Sequence, residues 1–433
     1  MASSNPAAHG SRVTAQKSNT CNGIWLPLKF FQESEPGHPM QLLLWFAIAS
    51  GHIGIWCATF NRTHATAWPR GWRKLIERAI ILVTGGPLLA IPFWFGWSRS
   101  WAVTYAAAHS TWLTGYFILC SFAFCFFLFT WLDRILRLRR PPEVELLSSE
   151  RIDVEQVVGK KLTAGWAANL LRLVPGNQAT SFSMDRYRID LSGGASETET
   201  IRIAQLTDLH FTGDIAREFF EQVVRQANAF QPDLVFLTGD IVDDMKCLDW
   251  IDPVLGNVRS EYGKFYVLGN HDRLIRDEQL LRTTIEKTGF RKVEGQWHDL
   301  PIRRSNLKIT GNSLPWYKAA LELGKLSRDP HSKKIRILLA HSPDQIDWAR
   351  QRAIDLMFAG HTHGGQIRLP VVGPIIAPSQ YGVRYASGQF RVGKTLMHVS
   401  RGLSGDDPIR LLCPPELGLF EIIVPATTAG SED

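Results

Sequence analysis

Three stretches of this chain, Gln41–Phe60, Ala79–Trp97 and Thr111–Leu132, contain no Asp, Glu, Lys or Arg. At about 20 residues each, they are long enough to cross a hydrocarbon layer of ~30 Å. Trp97, Trp101, Trp112 and Trp131 stand at their ends, where amphipathic rings favour the boundary between lipid and water. The runs read as transmembrane helices, spans of about 41–60, 79–97 and 111–132 within a region 41–135. They do not read as a secretory signal, because a polar tail over residues 1–40 comes first and two further runs follow. His52, in the middle of the first run, is expected to pack against a neighbouring helix.

Loop charge predicts an orientation. Arg62, Arg70, Arg73, Lys74 and Arg78 lie between the first two runs, only Arg99 between the second and third, and Arg134, Arg137, Arg139 and Arg140 follow the third. Positive residues favour the cytoplasm, so the chain after Arg134 is expected there and the N-terminal tail outside. Arg12, Lys17 and Lys29 in the tail run against this pattern. A re-entrant second run, broken as it is by Gly and Pro, would reverse the assignment. The net charge of +7 gathers beside the runs, which points to lipid headgroups and away from nucleic acid. Six cysteines, scattered or within the runs, form no disulfide framework.

Pro141 and Pro142 end the third run and open a connector over residues 136–200 that is expected to hold an amphipathic helix and a first strand. Within it, Leu162, Trp166, Leu170 and Leu173 fall on one face of an expected amphipathic helix at Lys160–Pro175, suited either to the bilayer surface or to packing on the next domain. From Ile201 apolar strands alternate with polar tips and amphipathic helices. "IRIAQLTDLH", "DLVFLTGD", "KFYVLGNHD", "KIRILLAHS" and "DLMFAGHTH" are strands, and "REFFEQVVRQANAF" is a helix. That alternation predicts a layered α/β domain over 201–424 with functional residues at one edge of its strands.

Each strand ends in groups that bind metals: Asp208 and His210, Asp240, Asn270 and His271, His341, then His361 and His363. Any one alone would pass for a helix cap or a turn. Together they make a mixed carboxylate, imidazole and amide set, which suits borderline divalent ions such as Mn, Fe or Zn. There are enough of them for two ions, and a shared carboxylate would hold these ~3.5–4 Å apart, a spacing suited to clamping a phosphoryl oxygen. Gly239, Gly269 and Gly360 flank the ligands and leave room for them.

"DLH", "GDIVD", "GNHD", "AHSP" and "GHTHGGQ", in this order, resemble the motif blocks of the calcineurin-like metallophosphoesterases. The resemblance covers roughly Ile201 to Val424. It implies an α/β fold, a four-layer αββα sandwich of two sheets flanked by helices, here preceded by about three membrane spans. It also implies two divalent ions, with manganese favoured. Asp208, His210 and His363 would hold one ion, Asn270, His341 and His361 the other, and Asp240 would bridge them. His271 would stabilise the phosphoryl group and protonate the leaving oxygen, oriented by Asp243 more than by Asp272.

A finer likeness, in "GHTHGGQIRLP" and "VSRGLSGDDPIRLLCPPELGLFEI", is to bacterial membrane or cell-wall phosphodiesterases, a group that includes hydrolases of UDP-2,3-diacylglucosamine. It implies an inner (plasma) membrane enzyme acting on a lipid-linked phosphodiester or pyrophosphate, with Arg401 and Arg410 meeting a second phosphate or uridine. The lipid bilayer and a phosphorylated, lipid-linked substrate are its expected partners, and the oligomeric state is open. A soluble or cyclic nucleotide is the alternative substrate. A membrane protein whose metal domain binds a partner without turnover is the alternative role.

Overall fold

Residues 39–95, 110–136, 140–318 and 334–426 are described by the structure, a computed structural model. The tail up to residue 38, Trp97, Arg99, Trp101, Arg137, Arg139 and residues 427–433 lie outside them. The N-terminal region forms helices α1 (Pro39–His64), α2 (Arg70–Phe95) and α3 (Thr111–Leu136). Stretches long and apolar enough to cross a membrane are found in two of these, Leu43–His64 and Thr111–Ile135. The expected count of three spans is therefore corrected. The second run is the end of α2, whose first turns carry Arg70, Arg73, Lys74, Glu77 and Arg78. Among the described residues, the apolar part of α2 does not make a third such stretch.

α2 runs antiparallel to α1. His64 at the end of α1 lies 4.0 Å from Glu77 near the start of α2. Further along, His52 Nε2 lies 3.2 Å from the carbonyls of Val83 and Thr84. Pro87 has no N–H to offer Val83 four residues back, so the imidazole supplies the donor that α2 lacks. Nδ1 of His52 meets the Tyr116 hydroxyl of α3 at 2.6 Å. His52 thus ties three helices together, as its expected packing role requires. Close approach of α1 to α3 depends on Gly51, where an added Cβ would overlap the Cys120 carbonyl.

The catalytic domain begins earlier in the chain than Ile201. Its elements run β1 (Val144–Asp153), α4 (Val154–Val158), α5 (Trp166–Arg172), β2 (Ser181–Asp190), β3 (Thr198–Leu206), α6 (Arg217–Ala229), β4 (Leu234–Thr238) and α7 (Ile251–Leu255). There follow β5 (Gly263–Val267), α8 (Glu278–Lys287), β6 (Phe290–Lys292), β7 (His298–Ile302), β8 (Ser305–Asn312), β9 (Ile335–Ala340), α9 (Ile346–Gln351) and β10 (Leu356–Ala359). The last are β11 (Arg368–Leu369), β12 (Gly373–Pro374), β13 (Gly388–Val392), β14 (Thr395–Val399) and β15 (Glu416–Pro425).

Two mixed sheets result, one ordered β1-β2-β15-β3-β4-β5-β6 and the other β13-β14-β10-β9-β8-β7. The expected connector 136–200 therefore supplies two strands of the first sheet. Alternate residues of the facing strands, among them Ile203, Phe236, Phe265, Leu339 and Phe358, fill one core between the sheets. The opposite face of the first sheet packs Leu206 and Leu237 against Phe219, Phe220 and Val223 of α6 and Leu281 of α8. The opposite face of the second packs Leu338 and Met357 against Ile346 and Ala349 of α9.

The expected amphipathic helix is cut to the seven residues of α5. Gly165, at φ 80°, turns the chain just before it, so Leu162 enters the core while Trp166 stays 82% exposed beside exposed Leu170 and Leu173.

Candidate dinuclear metal centre

The parallel strands β3, β4 and β5 of one sheet, and β9 and β10 of the other, all point their C-terminal ends the same way. Asp208 and His210 follow β3, Asp240 follows β4, and Asn270 and His271 follow β5. His341 follows β9, and His361 and His363 follow β10. Contacts across the gap join the two sheets. The His361 amide donates to Asp208 Oδ1 at 2.9 Å, and His341 Nε2 lies 3.0 Å from Asp240 Oδ2.

The residues form two donor sets sharing one carboxylate. Atoms of Asp208, His210, Asp240 and His363 lie within 4.8 Å of one another, as do those of Asp240, His341 and His361. Asn270 Oδ1 joins the second set, 3.1 Å from His341 Nε2. His210 Nε2 and His361 Nε2 are buried with no hydrogen-bond partner. Such orphaned atoms are costly in a packed interior unless a cation meets them. The donor chemistry therefore fits two borderline divalent ions with Asp240 between them.

The second ring nitrogen of three ligands is already held, which leaves Nε2 for metal. His210 Nδ1 lies 3.0 Å from Asp243, His341 Nδ1 donates to the Thr238 carbonyl at 2.8 Å, and His363 Nδ1 donates to the Ser404 carbonyl at 3.0 Å. Backbone strain accompanies this convergence. Asp208, His210, Asp240, His361 and His363 all have positive φ, between 43° and 70°, a conformation that non-glycine residues keep where the surrounding structure demands it. An added Cβ on Gly360 would overlap the Asp208 carboxylate, and one on Gly269 would overlap that of Asp240.

His271 stands outside both donor sets. Its Nδ1 lies 2.8 Å from Asp243 Oδ2 and 3.2 Å from Asp406 Oδ1. Burial favours its neutral form, but Asp240 and Asp243 outweigh that and raise its pKa above the ordinary histidine value. Burial would likewise raise Asp243, yet the His210 and His271 imidazoles hold it below the usual carboxylate range. Asp272 faces the backbone, accepting from the amides of Asp240, Ile241 and Gly269 at 3.0, 2.8 and 2.7 Å. It braces the loop that carries Asp240.

Arg401 and Arg410 are taken up inside the protein, which corrects the expectation of a substrate contact. Arg401 donates to Asp185 Oδ2 at 2.7 Å, to the Pro414 carbonyl at 2.9 Å and to Ser183. Arg410 is 1% exposed and donates to the carbonyls of His363 and Arg401 at 3.0 and 2.7 Å and to that of Ser404. It fixes the turn that carries His363. Two residues reach the site without any sequence signal. Asp406 sits on an exposed loop beside His271, and the Trp316 ring stands edge-on to His361 and His341 at 4.8 and 5.5 Å.

A family model for the calcineurin-like phosphoesterases matches residues 201–365. The chain is 32% identical over 232 residues to the uncharacterized metallophosphoesterase YkuE of Bacillus subtilis, covering 51% of this chain and 78% of that one. It is 29% identical over 248 residues to phosphodiesterase YaeI of Escherichia coli, covering 56% and 88%. Similarity to the UDP-2,3-diacylglucosamine pyrophosphatase LpxG of Chlamydia muridarum is 24% identity over 325 residues, covering 60% and 96%.

Proposed function

Since this chain belongs to the calcineurin-like phosphoesterase family, and so is a metal-dependent phosphoester hydrolase, we propose that its substrate is a lipid-linked phosphodiester or pyrophosphate. The observation that carries the chemistry is the pair of donor sets sharing Asp240, with His271 just outside them. Asp208, His210 and His363 would hold one ion and Asn270, His341 and His361 the other, with Asp240 common to both. When bound, the two ions supply a nucleophile at neutral pH and polarise the phosphoryl oxygen.

The protein's own side chains do the rest. Asp243 accepts from Nδ1–H of His271 and so favours the imidazolium, whose Nε2–H is the proton that the leaving oxygen needs. The carboxylates of Asp240 and Asp243 favour the protonated ring. Thr238, Ser404 and Asp243 prevent the ligand rings from turning away.

Two observations support the lipid-linked substrate. The chain carries two apolar helices long enough for a bilayer, and it aligns with nearly the full length of a relative named for UDP-2,3-diacylglucosamine. That compound is the specific proposal. In mixed micelles its hydrolysis should exceed that of a deacylated analogue by at least ~10-fold in kcat/KM, about 1.4 kcal/mol of transition-state preference. Equal rates would move the assignment to a soluble nucleotide. A chromogenic phosphodiester checks the chemistry separately. His271→Ala should retain metal and lose ~10²–10⁴-fold in turnover, while Asp240→Asn should lose both together.

A further inference from the structure

The hairpin of β11 and β12 ties the membrane helices to the metal centre. Near the end of α1, buried Asn61 donates through Nδ2 to the Ile375 carbonyl at 3.2 Å and accepts from the Ala377 amide at 2.9 Å. Near the end of α3, the Arg134 guanidinium stands against Gly373, where an added Cβ would come within 3.1 Å of Nη1. Both apolar spans therefore finish on the same hairpin. That places it level with the edge of the hydrocarbon layer. Trp68 and Trp72, both exposed, lie in the turn and first residues after α1 beside Arg62, Arg73 and Lys74, the ring and cation chemistry of a lipid headgroup zone.

The hairpin's own surface is apolar. Ile367, Leu369, Val372 and Ile376 are exposed, and Val371 at the tip is 84% exposed. Val371 also has φ 65°, a strained conformation for a β-branched residue, at a position where Gly or Asn would serve a tip in water. So exposed a side chain gains little packing from the described residues to offset that strain. A second apolar patch adjoins it. Leu411 bridges to both Ile367 and Asn177, which joins the hairpin to the segment that follows α5, and Trp166 and Leu170 of that helix and Leu173 just after it are exposed.

The hairpin leaves directly from the turn that holds His363. Arg368 Nε donates to the Gly364 carbonyl at 2.8 Å, and an added Cβ on Gly365 would overlap Pro374. We infer that the hairpin Ile367–Ile376 rests in the headgroup and outer acyl layer of a bilayer with Val371 and Val372 inserted. It thereby holds the metal centre open at the lipid surface. This rests on reading α1 and α3 as membrane spans, and it gives a lipid-linked phosphate a route to the ions while its acyl chains stay in lipid.

The test uses the full-length chain in vesicles of phosphatidylethanolamine and phosphatidylglycerol, with p-benzoylphenylalanine placed at position 371 or, as a second variant, 372. The same group at Phe126 in α3 and at Glu261, just before β5 at the end of the domain away from the site, gives the reference positions. Irradiation should yield phospholipid adducts from 126, 371 and 372 and none from 261. Adducts from 126 without any from 371 and 372 would overturn the inference, and so would equal adducts from 261 and 371. The substrate proposal is read separately, by the preference for an acylated compound. Lipid adducts at 371 with no such preference would retire the substrate and leave the hairpin in the membrane.

Discussion

Asp243 Oδ2 lies 2.8 Å from Nδ1 of His271, and the other oxygen of the same carboxylate lies 3.0 Å from Nδ1 of His210. One side chain thus orients both a candidate metal ligand, His210, and the proposed proton donor, His271. Asn at this position can accept from only one ring. Asp243→Asn should therefore weaken metal binding by ~10–100-fold and also lower kcat on a chromogenic diester once metal is saturating. Metal titration followed by turnover at saturation separates the two losses. Native kcat at saturating metal would show that Asp243 does not hold the His271 ring.

Neither Gly269 nor Gly360 has a positive φ, so substitution there tests crowding without backbone strain, against Asp240 at 269 and against Asp208 and Thr207 at 360. An alanine Cβ at 269 would displace the carboxylate of Asp240, the residue both donor sets share. Gly269→Ala should leave the far-ultraviolet circular dichroism native while the purified protein holds fewer than two ions by elemental analysis. Full metal content in a folded variant would contradict the crowding that the glycine relieves.

Asp344 offers a pH test outside the metal centre. Its carboxylate accepts from the Ser379 hydroxyl and, at 2.9 Å, from the Gln380 amide, yet burial pushes its pKa up to about 6. A raised carboxyl pKa means that the fold favours the neutral form. The contribution is complete below the unfolded value of 3.8 and is lost as pH rises through about 6. Asp344→Asn is neutral throughout, its Oδ1 accepting from the Gln380 amide and its Nδ2 donating to the Ser379 hydroxyl. It should melt above the parent at pH 8 and close to it at pH 4, by a margin of up to about 3 kcal/mol. Thermal melts in detergent at the two pH values check this, and a margin independent of pH would mean that the native carboxyl titrates normally.

Much of the metal centre is legible in the amino-acid sequence, and the reason is physical. A dinuclear centre at strand tips needs particular donors at short range from an apolar run, so Asp208, His210, Asp240, Asn270, His341, His361 and His363 each announce themselves locally. Two of the strands that carry them, β4 and β10, are buried along their whole length and read as short apolar runs. The apolar helices are legible for a similar reason, although only two stretches among the described residues are long and apolar enough to cross a membrane.

Other features have no local mark. β1 and β2 mix polar and apolar residues at one edge of the first sheet, and so pass for a connector. Periodicity puts Leu162 on the same face as Trp166, and Gly165 then separates them. Asp406 and Trp316 reach the metal centre from irregular segments, while Arg401 and Arg410 turn inward to buried carboxylates and carbonyls contributed by distant parts of the chain.

The sequence by itself determined the enzyme class, the candidate metal donors and the presence of apolar helices, because each depends on residues close together in the chain. Only the tertiary structure decided where that chemistry faces. Asn61 and Ile375 are 314 residues apart, and no periodicity or motif links them. Their contact exists because two helix ends and one hairpin share a surface once the sheets have packed, and it sets the metal centre beside the membrane helices.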